Sequence, residues 1–154
     1  MGARLEGVEG AKRAIREDAD RMLKVYLGKL DGMALKVVSA IRNGRNPGDT
    51  SYWRDHSGNL RNSIGYIIMS DGKRVYENFK AVTGGTEGVQ KAKDFADELA
   101  KQYRSGIVLI IVAGMEYAAY VEDVESRTVL KGGELLAKSL LAEINAEWEA
   151  QYGK

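Results

Sequence analysis

The chain of 154 residues has no cysteine, one proline, one histidine and two phenylalanines. Without cysteine there is no disulfide, no thiolate zinc site and no cysteine nucleophile. A lone histidine, His56, excludes a multi-histidine metal site. No apolar run approaches the ~20 residues needed to cross a bilayer. The longest, Ile107–Ala113, has the length of a buried strand. The first residues hold no apolar h-region, so no signal peptide is expected. Glu6 stands where myristoylation after Gly2 would need Ser or Thr. The cytosol, or a particle assembled inside a cell, fits these absences best.

What remains is a globular composition, 44% hydrophobic and 29% charged, enough for a single domain spanning 1–154. The formal charge of +1 does not by itself point to nucleic acid. It is unevenly spread: residues 1–46 carry ten Lys/Arg against six Asp/Glu, and residues 116–150 carry three against eight. The two regions read as complementary surfaces of neighbouring subunits or as solvated helix faces.

Apolar residues recur three or four apart from Leu5 through Leu23, Leu27, Leu30, Ala34 and Val38 to Ile41, which predicts a helix over 3–41. Unbroken, it would be ~60 Å long, more than one domain of this size can cover. Gly28 and Gly32 predict a kink or break. The part before Met22, with few large apolar residues, is expected to project, making 1–21 a helical arm. A loop follows at 43–51, around Pro47. Residues 62–69 then predict a strand with Ile64, Tyr66 and Ile68 on one face, Asp71-Gly72 a hairpin turn, and 73–79 the return strand. Thr86 is the candidate N-cap of a helix over 87–104, with Val89, Ala92, Phe95, Ala96, Leu99 and Tyr103 as its apolar stripe and Gly106 beyond its end. Continuous β-branched residues make Ile107–Ala113 a central strand covered on both faces. Residues 116–124 fit a short strand or a helical turn. A last helix is predicted over 133–151, with Leu136, Leu140, Leu141, Ile144 and Trp148 inward. The fold class is therefore α+β: a small mixed sheet packed by helices, with a long N-terminal and a C-terminal helix.

Catalytic templates fail on residue type or spacing. The 84–88 run, Gly-Gly-Thr-Glu-Gly, lacks both the Rossmann spacing and a phosphate-loop lysine, and reads as an anion-holding turn or an inter-element loop. Asp49, Asp55 and His56 are close in sequence, but nothing makes them converge as metal ligands. His56 beside Ser57 lacks an orienting carboxylate. Glu143 and Glu147 lie four apart on a solvated helix face. Tyr52, Trp53 and Arg54 are interface-forming types in a polar loop; the alternative is that Trp53 folds back onto its own core. With Arg42, Arg45 and Arg61 the same residues could serve a small nucleic-acid-binding or regulatory protein.

The segment 56–64, His-Ser-Gly-Asn-Leu-Arg-Asn-Ser-Ile, resembles the Thr/Ser-Gly-x-Leu-Arg-x-Ser-Ile motif of tailed-phage neck and tail-completion proteins, the lambdoid-type siphophage family. The run 117–122, Tyr-Ala-Ala-Tyr-Val-Glu, resembles that family's second motif, in the same order and straight after the apolar strand. The chain departs from the family in a longer loop before the first motif, in Asp123-Val124 after the second, in lacking an Ala-x-Pro-Phe segment before the last helix, and in carrying the helix at 87–104. The resemblance implies a non-enzymatic virion protein without metal or cofactor, assembled in the bacterial host cytoplasm. It would form a homo-oligomeric ring at the head–tail connector or neck, or at the upper tail. Its partners would be copies of itself, neighbouring connector, tail-terminator or tail-tube proteins, and DNA passing through the lumen, with no membrane. A neck protein, a tail terminator and a minor tail protein all fit. The resemblance marks Ser57, Gly58, Leu60, Arg61, Ser63, Ile64, Tyr117, Tyr120, Val121 and Glu122 as motif and assembly candidates. From the residues themselves, Ser57-Gly58 makes a tight turn, Leu60 and Ile64 anchor the following strand, and Arg61 faces outward.

Overall fold

A computed structural model describes residues 2, 7–43, 59–81, 86–114 and 131–153, the side chains at 131–133 and 135 aside. The elements in chain order are α1 (Val8–Arg42), α2 (Asn59–Asn62), β1 (Ile64–Ser70), β2 (Lys73–Asn78), α3 (Glu87–Ala100), β3 (Ile107–Ala113) and α4 (Lys131–Tyr152). This is the expected α+β class. The described strands pair antiparallel throughout.

Among the described strands the order is β2-β1-β3, which corrects one expectation: the centre is β1, and β3 pairs with β1 alone. Continuous hydrophobicity reports how many faces of a strand are covered, not how many of its edges are paired. Both faces of β1 are covered. Ile64, Tyr66 and Ile68 join the cluster formed with α1 and α4, while Ile67 and Met69 join the one formed with α3. On β3, Leu109 and Ile111 pack toward the first cluster and Val108, Ile110 and Val112 toward the second.

The β1–β2 hairpin turns at Asp71 and Gly72, with φ of 49° and 79°. Two successive positive φ values match the twist of the flanking strands, and Asp-Gly tolerates them. Gly106, also at positive φ, precedes β3 and accepts a backbone hydrogen bond from Asp71. The stripe expected on α3 is rotated. Gly88, Ala92 and Ala96 are its buried residues, and Phe95 is 48% exposed. Small residues line this face because α3 comes close to its neighbours: a Cβ on Gly88 would collide with the Asn59 carbonyl of α2, and one on Gly114, at the end of β3, would lie 2.6 Å from the Ala92 nitrogen. Thr86 occupies the N-cap position without a side-chain capping bond.

Helix α1 runs unbroken through Gly28 and Gly32, contrary to the expected kink. Two glycines weaken the helix by roughly 1 kcal/mol each. The burial of Leu27, Leu30, Met33, Ala34, Val37, Val38 and Ile41 on both sides of them outweighs that cost.

Candidate assembly surface

Every buried residue of α1 lies at or after Leu27, and residues 7–21 are exposed without exception. Ile15 is 67% exposed. A free helix of this length is marginal in water and draws its order from the packed helix that continues it. The arm leaves the body beside the C-terminal end of α4. There Tyr26 meets Trp148 edge to face at 5.3 Å, Trp148 meets Tyr152 at 4.4 Å, and the Tyr26 hydroxyl donates to Asn145 Oδ1 at 2.9 Å. Beyond this clasp, Asp18, Arg21, Met22, Val25 and Tyr152 line an open cleft of about 360 Å³.

Helices α1 and α4 pack side by side, which brings part of the basic front and the acidic back together within one chain. Lys29 Nζ lies 3.6 Å from Glu147 Oε2. Some of the charge complementarity assigned to neighbouring subunits is thus intramolecular. A second cleft, of about 230 Å³, runs between the two helices with Lys29 and Lys36 on one bank and Glu143 and Glu147 on the other.

The described part of the first motif serves the fold. Leu60 and Ile64 are fully buried in the α1 cluster. Ser63 Oγ donates to the Leu60 carbonyl at 2.7 Å, and its own carbonyl accepts from Gly114 N at 3.0 Å, extending the β1–β3 pairing. Arg61 is half-buried with its Nε enclosed, rather than outward. Tyr52, Trp53, Arg54, Ser57, Gly58, Tyr117, Tyr120, Val121 and Glu122 lie outside the described residues, as do Arg45, Asp49, Asp55 and His56.

Two buried polar tethers carry no local signal in the sequence. Arg42, 7% exposed, donates through Nε (3.0 Å) and Nη2 (2.7 Å) to the Ile64 carbonyl, and through both terminal nitrogens to Asn78 Oδ1 at 3.2 Å. Pairing with β2 ends at Asn78 opposite Tyr66, so the guanidinium serves a carbonyl beyond the end of that ladder. Burial lowers the Arg42 pKa. Tyr66 donates to Asp31, and its phenol is held above the ordinary range, first by burial and then by that hydrogen bond. Arg42 is therefore a structural residue and not part of a nucleic-acid surface.

Among the described residues no cluster of His, Asp or Glu could hold a metal ion, and no helix is long and apolar enough to cross a membrane. The chain matches no protein-family model, no curated protein and no solved structure.

Proposed function

We propose that the protein is a non-enzymatic structural subunit of a tailed-phage virion, forming a homo-oligomeric ring at the head–tail connector or neck, or at the upper tail. The observation that carries this reading is the arm: fourteen residues of exposed helix, 8–21, extend a helix whose other half is core. An ordered, unpacked helix of this kind suits a contact with another molecule. The resemblance of the two sequence motifs supplies the setting, which would be the virion, assembled in the host cytoplasm.

Closed rings need two different, mutually complementary patches on each copy. The remaining surfaces would meet connector, tail-terminator or tail-tube proteins, and the lumen would pass DNA. Negative-stain electron microscopy of the concentrated protein tests the reading. Closed rings of uniform diameter with an open lumen are expected. A persistent monomer whose affinity for duplex DNA falls steeply with salt would instead favour a small nucleic-acid-binding protein.

A further inference from the structure

The arm has an apolar stripe that no described residue covers. At 100° per residue, Val8, Ala11, Ile15 and Met22 share one face, and that face continues through Tyr26 and Met33, where α4 packs. Helix α4 covers this seam only as far as the clasp at Trp148 and Tyr152. Lys12 and Arg16 flank one side of the free stripe and Asp18 the other. Two arms paired antiparallel about Ile15 would bring Lys12 and Arg16 of both copies together, so the charges oppose self-pairing of the arm. The stripe needs a partner with carboxylates along one bank.

The α1–α4 groove is such a partner. It lies on the opposite side of α1 from Ala34, away from the sheet. Gly32, Leu140 and Ile144 line it together with Lys29 and Lys36 of α1 and Glu143 and Glu147 of α4. A Cβ on Gly32, or on Gly28 one turn earlier, would meet nothing within 4 Å. Neither glycine is required by packing inside the chain, although each weakens the helix. Bare backbone there lets a second helix approach closely.

We propose, resting on the ring reading above, that the arm of one copy seats in the α1–α4 groove of the next, with Ile15 over Gly32. With the arm antiparallel to the α1 that receives it, Lys12 and Arg16 then face Glu143 and Glu147, and Asp18 faces Lys29. Only one of the two lengthwise directions gives this match, so the contact has a defined polarity. It is heterologous, arm to groove, and therefore propagates around a ring. The pairs it displaces are exposed ones: Lys29–Glu147 across the groove, and Lys12–Glu9 and Arg21–Asp18 within the arm. Such pairs hold little energy against exchange.

The absence of native cysteine makes cross-linking decisive. Positions 15 and 32 are on one helix, ~25 Å apart at 1.5 Å per residue, so a 15–32 disulfide can form only between chains. The full-length double variant Ile15→Cys/Gly32→Cys, oxidised at high protein concentration, should give a ladder of covalent oligomers. Each single variant should give none. Adding E143K and E147K should abolish the ladder, and further adding K12E and R16E should restore it. Circular dichroism melts of every variant report the fold separately. Oligomers that sediment as such but yield no 15–32 product, or that yield 15–15 dimers, would overturn the docking and leave the ring reading standing. A protein that sediments as a monomer at every concentration, with no cross-link, would overturn both.

Discussion

Tyr66, in the middle of β1, donates its hydroxyl to the Asp31 carboxylate, in the middle of α1, at 2.5 Å. Arg42 makes the second polar tether between the same helix and strand, at the Ile64 carbonyl. The two tethers lie eleven residues apart along α1, ~16 Å. Apolar packing alone would let α1 slide or rotate on the sheet. Two directional contacts fix its axial position and with it the direction in which the arm leaves the body. Tyr66→Phe should lower unfolding stability by about 1 kcal/mol, the net value of a typical hydrogen bond, measured by urea denaturation at pH 7.

The same tether makes stability fall at alkaline pH. The unfolded phenol titrates near ~10, and in the folded chain burial and Asp31 hold it higher. The folded state therefore keeps a proton that the unfolded state releases. The contribution is complete below the unfolded value and is lost as pH rises above it. The stability difference between wild type and Tyr66→Phe should therefore shrink between pH 9 and 11. A constant difference would show that Tyr66 titrates normally in the folded chain.

Two glycines should respond in opposite directions. Gly88→Ala pushes a methyl group into the Asn59 carbonyl and should cost about 1–3 kcal/mol, through separation of α3 from α2. Gly32→Ala meets open space in a helix interior and should stabilise the monomer by up to ~1 kcal/mol. Thermal melts of the two variants check both signs.

Residues 1–20 contribute no buried side chain among those described, so their deletion should leave a cooperative melt. Self-association measured by sedimentation should be lost. A truncated chain that fails to fold would place part of the arm in the core.

Much of the fold is legible in local pattern. The 3.6-residue period of α1, the Asp71-Gly72 turn, Gly106 and the apolar run of β3 each carry a signal within a few residues. What escaped is non-local. The place of β3 beside β1 in the described sheet depends on which strand pairs with which, and its sequence is the same either way. Arg42 reads as a surface cation until β1 brings the Ile64 carbonyl to it. Phe95 reads as inward because it is apolar, but Gly88, Ala92 and Ala96 allow a closer approach and so take the buried face. The candidate surface is legible only in part. The exposure of the arm follows from its sparse apolar content, whereas the groove exists only once α4 lies on α1.

The proposed place of this chain, a ring in a phage particle, is open to a test by labelling of particles. Particles released by the bacterium that carries the gene would be decorated with gold-conjugated antibody against the purified protein and imaged by electron microscopy. Label confined to one locus, the head–tail junction or the upper end of the tail, is expected. Unlabelled intact particles, with the antigen wholly in the soluble fraction, would contradict it.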